Sequence, residues 1–249
     1  VTRVDDIILR TADGARLAGD VYHPSDTPRG GVVVVHGFSA TRRLEAVVEQ
    51  ARSLADAGYL VLTYDGRGHG MSDGECTLGR LEVHDVGAAV AHLGGAVDQI
   101  VTVGASMGAL AVLSHAVGNG GLAGIVLVSI ATSWRSVTTA RGAAAALFTR
   151  TTAGRAYMRR ATGTRISPIW QSSGAPTAQV RRVHVPVAIV HGKADAMVRA
   201  RAALDVYRAA SDPRRIDLVD GMGHAFQLEG VPAVTRAVEW AFEQHPVNR

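Results

Sequence analysis

One cysteine, Cys76, occurs in 249 residues, which excludes an internal disulfide and a cysteine-based metal cage. The chain therefore has no need of an oxidising compartment. Lysine is almost absent: Lys193 stands alone against twenty-five arginines. Acid is missing altogether from residues 99–194, which carry ten basic residues, whereas residues 1–98 carry nine basic and fourteen acidic ones. The basic residues are scattered, with little aromatic interleaving, so no nucleic-acid partner is expected. No run reaches the ~20 apolar residues of a membrane span. The start, Val1 to Asp6, is polar and acidic rather than a basic leader followed by an apolar stretch. The expectation is a chain without a membrane span and with a cytoplasmic location. Hydrophobic content of 47% beside 19% charged residues is ordinary for a folded protein. The length suits one large α/β domain.

What is there begins with alternating strand and helix signals. Ile7-Ile8-Leu9 and Leu17 to Tyr22 read as strands joined at Asp13-Gly14. Gly31-Val32-Val33-Val34-Val35 and Tyr59 to Tyr64 are apolar runs without alternation, as in strands covered on both faces. Ile100 to Val103, Gly124 to Ser129, Pro186 to Val190 and Arg215 to Val219 continue the series. Helical spacing appears over 44–57, 81–93, 200–210 and 231–244, and over the residues after Gly108. From 131 to 182 no strong strand is visible; 143–148 and 153–160 look helical. Such alternation predicts a mostly parallel sheet with helices on both faces.

The stretch Gly104-Ala105-Ser106-Met107-Gly108 lies between a good strand and a good helix. Glycines two residues either side of the serine permit a tight turn that exposes its hydroxyl, and the helix start aims unpaired N–H groups at whatever that hydroxyl attacks. A serine needs a base within hydrogen-bond reach. His224, in the loop Asp220 to Phe226, is the candidate, and Asp195, in His191-Gly192-Lys193-Ala194-Asp195, would orient it. All three follow strands, where reacting groups gather in parallel sheets, in the order nucleophile, acid, histidine. The backbone N–H groups of Met107 and Phe38 are the expected oxyanion donors.

Each candidate has a plainer alternative. His224 could be a packing residue, and Asp195 could cap the helix at 200–210. Asp65, which also ends a strand, is the rival acid, with Arg67 and Ser72 available to satisfy it. His36 and His191 precede glycines at strand ends and read as structural histidines. Asp85 and His84 read as scaffold, Cys76 as inert. No His, Asp or Glu cluster has metal-ligand spacing, so neither metal nor other cofactor is expected.

Five motifs in this order, HGFSATR (36–42), DGRGHGMSDGE (65–75), GASMG (104–108), HGKAD (191–195) and GMGHAF (221–226), resemble the α/β-hydrolase superfamily over nearly the whole chain. The nearest likeness is to its bacterial serine-hydrolase branch: cinnamoyl/feruloyl esterases, monoacylglycerol lipases and serine aminopeptidase-like hydrolases. The resemblance implies Ser106, Asp195 and His224 as triad, and Phe38 and Met107 as oxyanion hole. It implies an α/β-hydrolase fold: a mostly parallel sheet of about eight strands, a core of 1–130 and 183–249, and a small helical cap at 131–182. Relatives often carry histidine where Ala105 stands, and proline in the loop after the acid, where this chain has Ala196-Met197-Val198-Arg199. Trp134, Leu147, Phe148 and Trp170 are candidate pocket residues in the cap, whose nine arginines could attract an anionic substrate. Three functions are compatible: an esterase working through an acyl-enzyme, a thioesterase or acyltransferase on carrier-bound acyl groups, or a non-catalytic ligand-binding relative. The partner expected is a small acyl ester or thioester.

Overall fold

Runs of β-branched residues with both faces apolar can satisfy themselves only inside a sheet covered on two sides. The computed structural model, which describes residues 2–119, 121–132, 147–169 and 174–244, has that arrangement. Its strands are β1 (Arg3–Arg10), β2 (Arg16–His23), β3 (Gly31–Val35), β4 (Leu60–Tyr64), β5 (Ile100–Ala105), β6 (Gly124–Val128), β7 (Val187–Gly192) and β8 (Arg214–Val219). They form one eight-stranded sheet in the order β1-β2-β4-β3-β5-β6-β7-β8. β2 pairs antiparallel with β1 and β4; the pairs from β4 to β8 are parallel.

The helices are α1 (Glu45–Asp56), α2 (Glu82–Gly94), α3 (Met107–Gly118), α4 (Thr152–Thr162), α5 (Pro176–Val180), α6 (Ala200–Ala209) and α7 (Val231–Gln244). Strand alternation divides the core in two. Val33 and Val35 point to the layer built with α2, α3 and α6, whereas Val32 and Val34 point to the layer built with α1 and α7. Among the described residues no helix is long and apolar enough to cross a membrane.

Of the boundaries that differ from the sequence reading, two matter for the site. β5 runs on through Gly104 and Ala105 rather than ending at Val103, so the turn into α3 is the single residue Ser106. β6 stops at Val128, which leaves Ser129 as a turn residue with φ 49°. The expected helix at 153–160 is α4; of the one at 143–148, residues 143–146 lie outside the described residues. α5 is short and was masked in the sequence by Pro176 and the neighbouring Gly174.

The segment between β6 and β7 is attached to the loop after β4. Arg165 N–H donates to Gly68 at 2.7 Å, Cys76 N–H to Arg165 at 2.7 Å, and Ser167 N–H to Cys76 at 2.9 Å. The Arg165 guanidinium adds bonds to the carbonyls of Gly74 (3.0 Å) and Ser72. This arginine, one of the nine counted for anion attraction, is thus occupied in holding the segment down.

Candidate active site

Ser106 sits at the tip of the strand–helix turn with φ 53° and ψ −110°, a conformation that costs an L-residue energy and persists where its surroundings enforce it. The surroundings here are main chain. A Cβ on Gly104 would lie 2.3 Å from the Gly108 carbonyl oxygen, and one on Gly108 would lie 2.4 Å from that of Val35. Only glycine lets β5, α3 and the end of β3 approach this closely.

His224 Nε2 is 2.9 Å from Ser106 Oγ, and His224 Nδ1 is 2.8 Å from Asp195 Oδ2. The Asp195 carboxylate is buried and divided in its work. Oδ1 accepts the N–H groups of Met197 and Val198, both at 2.8 Å, which leaves Oδ2 for the imidazole. Burial pushes this carboxyl upward, but hydrogen bonds from His224 and from the Val198 and Met197 amides, with the electrostatic pull of the His224 ring, outweigh it and hold it below the ordinary value. An ionised Asp195 only accepts, so Nδ1 carries the proton and Nε2 is free to accept the serine hydroxyl. The helix-cap alternative for Asp195 fails: the residue before α6 is Arg199, and its capping uses no side-chain bond.

Three further residues support this arrangement, and two of them, Ser129 and Gln227, were not singled out from the sequence. Ser129 Oγ accepts the N–H of Ala225 at 3.1 Å, and Gln227 Oε1 accepts that of Gly223 at 2.6 Å, so the His224 loop is held on both sides. His191, read as structural, has Nε2 2.9 Å from the Val198 carbonyl and 3.6 Å from Asp195 Oδ2. Burial lowers its pKa. For Ser129 the only sequence signal was a polar residue closing an apolar strand.

The loop 36–39 lies against the serine: a Cβ on Gly37 would be 3.5 Å from Ser106 Cβ. Two buried histidines shape it. His36 Nδ1 meets the Gly37 carbonyl at 2.7 Å while its Nε2 accepts Gly66 N–H at 2.9 Å. His69 Nδ1 meets the Arg67 carbonyl at 3.0 Å while its Nε2 accepts Ser39 N–H at 3.2 Å. Both are neutral donors–acceptors, and burial lowers both pKa values, His36 to about 4. The N–H groups of Phe38 and of Met107, the first residue of α3, make no hydrogen bond to another described residue.

The rival acid is engaged elsewhere. The Asp65 carboxylate takes the Arg42 guanidinium and the N–H groups of Arg42 (2.8 Å) and Met71 (3.0 Å). The expected partners were different, Arg67 and Ser72. Arg67 is instead drawn to Asp85 and Asp13, with bonds of 2.7 Å to each. Ser72 Oγ donates to the main-chain carbonyl of Asp65, not to its carboxylate. Asp85 is thus scaffold, and Cys76 is buried with its thiol pushed well up by burial. Among the described residues no group of three or more His, Cys, Asp or Glu side chains is arranged to hold a metal ion.

Beside Ser106 and His224 opens a pocket of about 150 Å³, walled by the loop 37–40, Leu44 and Val47 of the α1 region, Met197, Ala225 and Phe226. Of the four expected cap residues, Trp134 and Trp170 lie outside the described residues. Leu147 and Phe148 are 68% and 44% exposed and are not among the residues lining this pocket; the Phe148 ring rests edge-on to Tyr157.

Residues 26–176 match the family model of hydrolases described as serine aminopeptidase, S33. Uncharacterized protein Rv2307c of Mycobacterium tuberculosis is 30% identical over 224 residues, which cover 88% of this chain and 72% of that protein. The structure of the Pyrococcus furiosus esterase Pf2001 superposes with a TM-score of 0.76 at 20% identity, over 96% of this chain and 93% of that one. The esterase RhEst1 of Rhodococcus sp. ECU1013 superposes with a TM-score of 0.70 at 19% identity, over 97% and 99%. At these identities the two structures share the fold.

Proposed function

We propose, because the chain belongs to the serine aminopeptidase S33 family of α/β-hydrolases, that it cleaves carboxylic esters through an acyl-enzyme formed on Ser106. The observation that carries this reading is the unbroken relay from Ser106 Oγ through the His224 ring to Asp195 Oδ2. Ser106 Oγ attacks the ester carbonyl while His224 Nε2 takes its proton. Asp195 holds Nδ1–H and stabilises the imidazolium that results. Negative charge on the carbonyl oxygen is received by the N–H groups of Phe38 and Met107, which have no competing partner among the described residues. Collapse of the intermediate expels the alcohol with the proton from Nε2. Water then enters, gives a proton to the same nitrogen, and releases the acid as Ser106 regains its hydrogen.

Residues 131–182 act in this reading as a helical cap over the site. Their position between β6 and β7, and the strand-like bridge that ties Ile166 to Cys76, support it.

The test is labelling by a fluorophosphonate, followed by turnover of matched esters, thioesters and amides. Labelling of wild type, its loss in Ser106→Ala, and faster turnover of esters than of thioesters are expected. A chain that neither labels nor turns over any of the three would overturn the reading; thioesters preferred at equal acyl length would replace esters as the substrate.

A further inference from the structure

We propose that the pocket beside Ser106 receives one uncharged, apolar arm of the ester, and that Val47 and Met197 set the length of that arm. This rests on the hydrolase reading above and narrows it to a substrate class. A volume of about 150 Å³ is that of a cavity which accepts a benzene-sized molecule, so the arm has about six heavy atoms.

The walls explain both the size limit and the preference for neutrality. Val47 is 1% exposed and Phe226 is buried, so they form the shielded part of the lining; Leu44 and Met197, 43% and 45% exposed, form its solvent-facing part. Ser106 and His224 are among the lining residues, so an occupant lies beside the carbonyl under attack. Among the described lining residues there is no Asp, Glu, Lys or Arg. A carboxylate or phosphate arm would therefore lose its hydration here without a counter-charge. The cap arginines, whatever they attract elsewhere, do not line this space among the described residues.

Several of the pocket walls are held by main-chain bonds. Val47 lies in the first turn of α1, and Val47 N–H donates to Leu44 at 2.9 Å. The Met197 amide is held by Asp195 Oδ1, and Phe226 follows a loop fixed by Ser129 and Gln227. Met197 and Phe226 thus belong to the same two loops that hold Asp195 and His224.

The experiment measures kcat/KM for two series of esters, one varying the acyl chain from acetyl to dodecanoyl on a fixed alcohol, the other varying a straight-chain alcohol on a fixed acetyl group. In one series the value should rise by about fourfold for each methylene that fits. It should peak at butanoyl to hexanoyl length, or the equivalent alcohol, and then fall by about tenfold or more. Val47→Ala should move the peak to a longer chain. Met197→Trp should move it to a shorter one; this change alters an exposed side chain and keeps the amide on Asp195, so it serves even if Val47→Ala folds poorly. The proposal is overturned if both series still rise at their dodecanoyl and dodecyl members, if neither substitution moves the peak, or if a hemisuccinate ester outpaces its neutral equivalent. Ser106 labelling and acetyl-ester turnover with a flat profile would sink this inference alone, whereas absence of labelling would remove the hydrolase reading as well.

Discussion

A Cβ placed on Gly192 would stand 2.1 Å from the carbonyl oxygen of Met222. The end of β7 and the entry to the His224 loop are therefore in direct main-chain contact, reinforced by the Ala194 N–H bond to Met222 at 3.0 Å. This contact brings the strand that leads to Asp195 against the loop that carries His224. Gly192→Ala would push the two apart by a large part of an ångström, and misplacement on that scale costs about 10²-fold in turnover. Steady-state kinetics on purified protein should show kcat falling by that factor. Wild-type kcat would mean that the contact does not set the relay.

Asp195→Asn tests the division of labour between the two carboxylate oxygens. The Met197 and Val198 amides require an acceptor at the Oδ1 position, so the new amide nitrogen must face His224 Nδ1. A donor there forces the imidazole proton onto Nε2, which can then no longer accept the serine hydroxyl. Turnover should fall by about 10⁴-fold with little change in thermal stability. A loss below tenfold would show that Nδ1 does not depend on this carboxylate.

Ser129→Ala removes the acceptor for Ala225 N–H, in a residue held at φ 64° one position after His224. Leaving that donor unsatisfied should cost about 1–3 kcal/mol in urea unfolding. Because the lost bond holds the residue directly after His224, kcat should drop more than KM rises. An unchanged kcat with lowered stability would make the serine merely structural.

Acid should destabilise the fold through His36. Burial, aided by His69 and opposed by the Gly37 carbonyl and Asp65, lowers it from 6.5 to about 4. The unfolded chain then takes up a proton at a higher pH than the folded chain. The contribution is complete above 6.5 and is lost as pH falls from 6.5 toward 4, by up to about 3 kcal/mol from this group. His69, also lowered, adds in the same direction. Urea midpoints measured at about pH 8 and about pH 5 should differ, and the difference should shrink in His36→Gln. Equal slopes in both proteins would contradict the assignment.

The amino-acid sequence alone was enough for the β-branched runs of β3 and β4, the helical spacing of α1 and α7, and the order in which Ser106, Asp195 and His224 follow their strands. These are local patterns: burial on two faces, a 3.6-residue period and glycines at a forced turn each leave a mark within a few neighbours. Tertiary structure alone decided that Arg42 rather than Arg67 serves Asp65, that Ser129 holds the histidine loop, that Arg165 ties down the segment after β6, and that Leu44, Val47 and Met197 wall the pocket. Those pairings depend on which strand ends lie side by side. Many serines and arginines along the chain have equal chemical ability to fill each role, and only the order β4-β3-β5-β6-β7-β8 selects among them by distance.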